Sequence, residues 1–185
     1  MRIILASKSP RRRELLGELY QKFDIITAEV DESLSENIHP QEGVRILSVR
    51  KGEPVAKDYP DALVISSDTL VELDGEPLGK PSDKDDAARM LRRLSGNTHR
   101  VHTGVAVHFG DRVESGVATT AVSFRHITDG EIEDYISSGE PMDKAGAYGI
   151  QGLGGRFVSG YDGDFDTVVG LSVGLTRELI ERVLK

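Results

Sequence analysis

The stretch Leu5–Leu16, LASKSPRRRELL, gathers hydroxyl and guanidinium groups at the start of a predicted helix. Ser7 and Ser9 are followed by three consecutive arginines, Arg11, Arg12 and Arg13. A helix N-terminus carries unpaired N–H groups and a partial positive charge, so it favours phosphate oxygens, and serine and arginine side chains add donors. Successive helical residues point about 100° apart, so the three arginines cannot all face one ligand. These residue types predict either a triphosphate site or a capped helix with a solvated basic first turn.

Two carboxylates and two lysines are the candidates for chemistry on such a phosphate. Glu32 and Asp68 are each predicted at the end of a strand, while Lys51 lies in a predicted helix and Lys80 follows a predicted hairpin. Carboxylate oxygens can hold Mg²⁺ or Mn²⁺ against phosphate oxygens, and ammonium groups neutralise a leaving diphosphate. Taken singly, each residue is more often a surface charge in a turn. Asp68 departs furthest from that interpretation, because it follows the apolar run LVISS, which would deliver it to a cleft rim.

Other classes of site have little support in the composition. A formal net charge of −8 argues against general nucleic-acid binding, and the lack of Cys excludes disulfides, a thiolate nucleophile and a cysteine metal cage. There is no GxSxG motif for a serine hydrolase and no zinc-like spacing of histidines. Exposed or hydrogen-bonded strand positions are therefore expected for His99, His102, His108 and His126.

The length of 185 residues predicts one α/β domain, residues 1–185. Its apolar start, Ile3–Ala6, is too short for a signal peptide or a membrane span. We therefore expect a cytoplasmic protein with no membrane partner.

The elements that must position these residues follow from local patterns. Arg2–Ala6 predicts a strand, Ser9 and Pro10 predict the start of a helix with Leu15, Leu16, Leu19 and Tyr20 on one face, and DIITAEVDE predicts a second strand. Three further helices are predicted around Val44 and Leu47, after a cap at Ser82 and at the C-terminus, and a capping box of Thr128 and Glu131 predicts a fourth. The predicted strands are Ala62–Ile65, followed by a hairpin at Asp74-Gly75, and an antiparallel pair that turns near Gly110-Asp111. The glycine-rich segment Lys144–Gly155 is predicted to be irregular.

Several motifs together resemble those of the Maf family of nucleoside triphosphate pyrophosphatases. They are LASKSPRRRELL, DES, SSDTLV, GKP, AARMLRRLSGNTHRVHTGVAV, GEPMDKAGAYGIQGLGG and DTVVGL, in family order over nearly the whole chain. The resemblance implies an inosine-triphosphatase-like (Maf/HAM1-like) α/β fold, with a mixed sheet flanked by helices and two lobes around a nucleotide cleft. It also implies metal-dependent hydrolysis between the α- and β-phosphates of a nucleoside triphosphate, giving the monophosphate and diphosphate.

The same resemblance implies roles for individual residues. The residues placed at the phosphates are Ser7, Ser9, Arg11 and Arg12, and those linked to substrate choice are Arg12, Thr69 and Gln151. By this resemblance Glu32 and Asp68 form the acidic pair that holds Mg²⁺ or Mn²⁺, and Asp68 is also the proton acceptor. Lys51 and Lys80 are assigned to the phosphate chemistry. The loop KAGAYGIQG is similar to that of the subfamily that favours dTTP and UTP. A homodimer and a role in clearing the nucleotide pool are also implied, while the net charge predicts no nucleic-acid partner.

Two alternatives and three departures accompany this interpretation. One departure is SSDT at Ser66–Thr69, which replaces the commoner GADT and leaves the Asp-Thr pair intact. The alternatives are a 7-methyl-GTP pyrophosphatase and a nucleotide-binding regulator of septum formation. RKG at Arg50–Gly52 replaces the usual Lys-Ala after Lys51, which puts the helix geometry there in doubt, and GLSV at Gly170–Val173 replaces GLPL, which is expected to loosen one turn.

Overall fold

The chain folds into a mixed β-sheet flanked by helices, in a computed structural model that describes residues 1–35 and 38–185. Within these residues the strands are β1 (Arg2–Leu5), β2 (Asp24–Ile25), β3 (Ala62–Leu73), β4 (Glu76–Leu78), β5 (Thr98–Phe109), β6 (Arg112–Phe124) and β7 (Val158–Asp162). Their order is β2-β1-β3-β5-β6-β7, with β4 pairing with β3. β1 pairs in parallel with β2 and β3, whereas β3 with β4 and β6 with β7 are antiparallel. The α/β fold class with a mixed sheet is confirmed.

The helices begin close to the predicted signals. In the described residues they are α1 (Pro10–Gly17), α2 (Pro40–Asp58), α3 (Lys84–Leu94), α4 (Asp129–Ser137), α5 (Phe165–Val169) and α6 (Val173–Val183). Ser9 caps α1 by accepting a hydrogen bond from the Arg12 N–H, and Thr128 and Glu131 form the predicted capping box of α4. The cap of α3 is Asp83 rather than Ser82, because the Asp83 carboxylate accepts from the Asp86 N–H and the Ser82 N–H donates to the Asp86 side chain.

The first helix is shorter than its apolar spacing predicts. It ends at Gly17, and the N–H groups of Leu19 and Tyr20 both donate to the Leu16 carbonyl, which closes a turn. The prediction that Leu19 and Tyr20 continue the helical face was therefore wrong.

Two strand predictions that concern the acidic residues were also wrong. β2 contains only Asp24 and Ile25, which pair with the last residues of the short strand β1, so Glu32 lies in a loop and not at a strand end. β3 does not stop at Ile65 but continues to Leu73, because its later residues pair with β4 across the Asp74-Gly75 turn. Asp68 therefore projects from the middle of a strand.

The helix α2 is continuous in spite of Gly52 and Pro54. Burial of Val44, Leu47 and Val55 along one side stabilises it, as the spacing of these residues indicates.

The chain divides into two compact units, each built from several segments. The first unit comprises Met1–Thr69, Thr103–Ala118 and Gly170–Lys185, and the second comprises Leu70–His102 and Thr119–Val169, so β3, β5 and β6 contribute residues to both. In the first unit Val55 and Ala56 of α2 pack on Ile4 and Val64 of the sheet. The second unit has its own core, in which Leu91, Ile132 and Phe157 are fully buried.

The glycine-rich segment forms no α-helix, as predicted. It consists of short 3-10 turns at Ala145–Ala147 and Leu153–Phe157, separated by irregular chain. Across residues 1–35 and 38–185, the helices found are too short or too polar to cross a membrane.

Candidate active site

Two carboxylates of the first unit meet at one lysine. Lys51, on α2, donates to Asp68 Oδ1 at 2.6 Å, and its Nζ lies 3.1 Å from Glu32 Oε1. The side chain of Asp68 is 14% exposed and that of Glu32 is 61% exposed. The structure thus brings Glu32, Asp68 and Lys51 together, although they come from a loop, a strand and a helix.

The loop that carries Glu32 is attached to α2 by a second cation. Arg50 donates through one nitrogen, Nη1, to the carbonyl oxygens of Asp31 at 2.9 Å and Ser33 at 2.7 Å. The Asp31 carboxylate in turn accepts hydrogen bonds from the N–H and hydroxyl of Ser33, which lower the pKa of Asp31. Neighbouring residues of one helix turn therefore hold both the side chain and the backbone of the Glu32 segment.

The start of α1 carries a set of hydroxyl and guanidinium groups in the same unit. The Ser7 hydroxyl accepts from the Ser9 N–H at 3.2 Å, and the half-buried Ser9 caps the helix. The Arg11 side chain is half-buried and that of Arg13 is exposed. Among residues 1–35 and 38–185, no hydrogen bond or ion pair occupies the Arg11 guanidinium. It is therefore available for an anion at the helix N-terminus.

The Arg12 guanidinium is bound to the protein itself. It donates to the carbonyl oxygens of Ser67 at 2.8 Å and Gly170 at 2.9 Å, and to the Thr69 hydroxyl at 3.2 Å. Burial lowers the pKa of Arg12, and the negative charge of Asp68 acts in the opposite direction. Because Ser67 and Thr69 flank Asp68, Arg12 joins α1 to the strand that carries the acidic residue.

The carbonyl of Gly170 is the common acceptor of this group. It receives hydrogen bonds from Arg12 and from the Ser67 hydroxyl at 2.8 Å, and the Thr69 hydroxyl lies 3.5 Å away. Thr69 also hydrogen-bonds the buried Thr103 hydroxyl at 3.0 Å. Gly170 has a φ of +128°, a conformation that other residues rarely adopt, so its place in this network requires glycine.

Lys80 and Gln151 belong to the second unit, and both side chains are exposed. The segment of Lys80 is joined to the glycine-rich segment, because the Gly146 N–H donates to the Gly79 carbonyl at 3.0 Å. The turn after Gln151 is held by Glu140, whose carboxylate accepts from the N–H groups of Leu153 at 2.9 Å and Gly154 at 3.1 Å.

His99, His102 and His108 lie in β5, as predicted, whereas His126 lies beyond the end of β6 and is exposed. His99 hydrogen-bonds the Tyr148 hydroxyl, and His102 bonds Glu72 and Thr119.

Comparison with known proteins places this arrangement in a family. Residues 2–183 match the model of the Maf-like proteins. A dTTP/UTP pyrophosphatase of Bacillus velezensis is 49% identical over 97% of this chain and 95% of that protein. A dTTP/UTP pyrophosphatase of Moorella thermoacetica is 50% identical over 97% of this chain and 93% of that protein. The chain belongs to the Maf family. Among solved structures, the Staphylococcus aureus Ham1 protein aligns with a TM-score of 0.48 and 20% identity, covering 70% of this chain and 73% of that chain.

Two of the three departures from the Maf pattern are explained by their surroundings. At Gly52 a Cβ would lie 2.6 Å from His108 Nε2 and from Ser66 Oγ, so the imidazole fills the space that an alanine would take and α2 continues undisturbed. The serine of GLSV does not loosen its turn, because Ser172 caps α6 by accepting from the Leu175 N–H.

Sequence reasoning missed three residues that hold segments carrying predicted site residues, Arg50 and Thr103 in the first unit and Glu140 in the second. Arg50 was visible only as part of RKG, Thr103 as part of the VHTG motif, and Glu140 as an acidic residue before the glycine-rich segment. Their roles depend on partners 17 to 34 residues away in the first two cases, a relation that local patterns do not contain.

Proposed function

We propose that this Maf protein hydrolyses nucleoside triphosphates, with dTTP and UTP as the preferred substrates, to the monophosphate and diphosphate. The convergence of Asp68 and Glu32 on Lys51, beside residues tied to the α1 N-terminus, is the observation that carries this proposal. The substrate choice is supported by the names of relatives that are close to half identical over almost the whole chain. Removal of surplus or non-standard nucleotides is the corresponding role.

The triphosphate binds at the start of α1 in this proposal. The Ser7 and Ser9 hydroxyls, the N–H groups of the first turn and the Arg11 guanidinium provide neutral and charged donors there. Arg12 is already bonded to Ser67, Thr69 and Gly170, so it orients this turn relative to Asp68. Its assignment to the phosphates or to substrate choice stays a prediction.

The carboxylates of Glu32 and Asp68 fit a divalent cation. Both carboxylates provide hard oxygen donors, and both lie beside the Lys51 ammonium. Mg²⁺ is commonly bound by one or two carboxylates together with substrate phosphates. Among the described residues there is no cluster of three or more acidic or histidine ligands, so phosphate and water oxygens would complete the coordination. A bound Mg²⁺ or Mn²⁺ would supply charge stabilisation on the phosphate oxygens.

Asp68 acts as the general base. Its Oδ1 is engaged by Lys51, which fixes the carboxylate while Oδ2 accepts a proton from the attacking water. The water oxygen bonds to the α-phosphorus, and the bond to the bridging oxygen breaks with its electron pair on diphosphate. The Lys51 ammonium offsets negative charge that develops in this step.

Diphosphate release from a panel of nucleotides tests the proposal. The panel contains dTTP, UTP, dCTP, GTP and 7-methyl-GTP, each with Mg²⁺, with Mn²⁺ and with a chelator. We expect dTTP and UTP to be hydrolysed fastest and the chelator to abolish release. Hydrolysis led by 7-methyl-GTP would show that the substrate is different, and tight nucleotide binding with no hydrolysis would favour the regulatory alternative.

The remaining expectations stay predictions. They are a homodimer, a cytoplasmic location, no nucleic-acid partner and a contribution of Lys80 to the chemistry. Sedimentation analysis of the purified chain would measure the oligomeric state.

A further inference from the structure

Two arginines of the first unit each bind the chain on both sides of an acidic residue. Arg12 bonds Ser67 and Thr69, which flank Asp68. Arg50 bonds the carbonyl oxygens of Asp31 and Ser33, which flank Glu32. The two contacts differ in their surroundings, because Asp68 lies within β3 whereas Glu32 lies in a loop.

The loop of Glu32 is joined to the sheet at its start, where the Ile26 N–H donates to the Leu5 carbonyl at 3.2 Å. Residues 26–35 belong to no helix or strand, and the side chain of Glu32 is 61% exposed. The bond of Asp31 to Ser33 is local and fixes only one turn. The bonds from Arg50 to the Asp31 and Ser33 carbonyls connect the backbone on both sides of Glu32 to α2.

We infer that Arg50 is a positioning residue, which holds the 31–33 backbone on α2 so that the Glu32 carboxylate stays beside Lys51 and Asp68. This inference rests on the proposed function and adds a residue to it. Arg50 and Lys51 are consecutive on α2. The helix therefore fixes the distance between the 31–33 backbone, which Arg50 binds, and the Lys51 ammonium.

The physical consequence is selective. Loss of the clamp leaves the α1 donors and Asp68 in place, so triphosphate binding continues. Misplacement of a catalytic group by about 1 Å can lower a rate by about a hundredfold. The effect is therefore expected in kcat, with a smaller effect on KM.

A double-mutant cycle on turnover of dTTP tests the inference. Arg50→Met should lower kcat by about ten- to a hundredfold, with KM changed by less than about threefold. Because Arg50 acts through Glu32, the double variant Arg50→Met/Glu32→Gln should be no slower than Glu32→Gln. Arg45→Met is the matched control, since Arg45 lies on the same helix but bonds Glu42 and Ser115, and its kcat should be unchanged. Full additivity of the two losses, or a normal kcat in Arg50→Met, would overturn the inference.

Cleavage by a glutamate-specific protease provides a readout that needs no activity. The bond after Glu32, identified by mass spectrometry, should be cut at least about tenfold faster in Arg50→Met than in the wild type or in Arg45→Met. If this rate rises although the wild type hydrolyses no nucleotide, the clamp stands and the proposed function is wrong. An unchanged cleavage rate would show that Arg50 does not hold the loop.

Discussion

Asp68 combines partial burial with one engaged and one available carboxylate oxygen. Asp68→Asn keeps the size of the side chain and removes its basicity, so turnover of dTTP should fall by about a hundredfold or more, the scale of a lost general base. Nucleotide binding should persist, which equilibrium dialysis would measure. Asp24→Asn is the control, because Asp24 forms an exposed ion pair with Arg2 in the same unit. Near-normal turnover in Asp68→Asn would remove this residue from the mechanism.

The three arginines of α1 differ in what they contact, although the sequence presents them as one run. Arg12→Ala leaves the Ser67 carbonyl without this donor, whereas the Gly170 carbonyl keeps the Ser67 hydroxyl, so the free energy of unfolding should fall by about 1–3 kcal/mol and turnover should fall with it. Arg11→Ala should weaken nucleotide binding with little loss of stability, and Arg13→Ala should change neither by much. Urea unfolding and dTTP kinetics of the three variants check this order. Equal effects in all three would favour a diffuse basic patch.

At the scale of elements, the helix α2, which carries Lys51, packs closely against β3 and β5. Gly52→Ala gains about 1 kcal/mol of helix propensity, but its methyl group would overlap His108 and Ser66, which typically costs about 1–3 kcal/mol. We expect net destabilisation in urea unfolding. The cost should be smaller in a His108→Ala background, where one of the two overlaps is gone.

Gly17→Ala is the control for this helix prediction. Gly17 closes α1, and an added Cβ there would meet nothing within 4 Å. It should not lower the free energy of unfolding. If Gly52→Ala, like Gly17→Ala, does not lower the free energy of unfolding, His108 does not pack against α2 as tightly as its position indicates.

At the scale of the whole molecule, stability should fall as the pH falls because of His99. This imidazole is buried against Tyr148 and Phe124, and burial lowers the pKa of His99 from 6.5 to about 4. Between these values the unfolded chain binds a proton that the folded chain does not, so the stabilisation is complete above pH 6.5 and is lost as the pH falls towards 4. The expected loss is roughly 3 kcal/mol in the free energy of unfolding.

The His99→Gln variant isolates this contribution from those of the carboxylates. Its amide does not titrate, so the fall in unfolding free energy between pH 6.5 and pH 4 should be smaller than in the wild type. Glu131, whose pKa is lowered to about 2 chiefly by its hydrogen bond with Arg125, remains as an internal reference in both proteins. Identical pH profiles of wild type and variant would show that His99 does not titrate as described.

Local chemistry in the sequence determined where several elements begin and turn. The Ser9 cap with Pro10, the Thr128 and Glu131 capping box, and the Asp74-Gly75 hairpin were all predicted, because each depends on groups a few residues apart. The motif resemblance also predicted the Maf family, since it relies on residue identities over nearly the whole chain.

Only the tertiary structure decided which groups meet at the site. The extents of β2 and β3 depend on their pairing with β1 and β4, so the sequence placed Glu32 and Asp68 at strand ends that do not exist. Arg12 bonds Gly170, 158 positions away, and an arginine in a predicted first turn gives no sign of such a partner. The sequence likewise shows Arg50 only as a cation in a helix, and its contacts with the loop of Glu32 are found only in the structure. Periodicity reports the face on which a side chain lies, whereas its hydrogen-bond partners are set by the packing of segments distant in sequence.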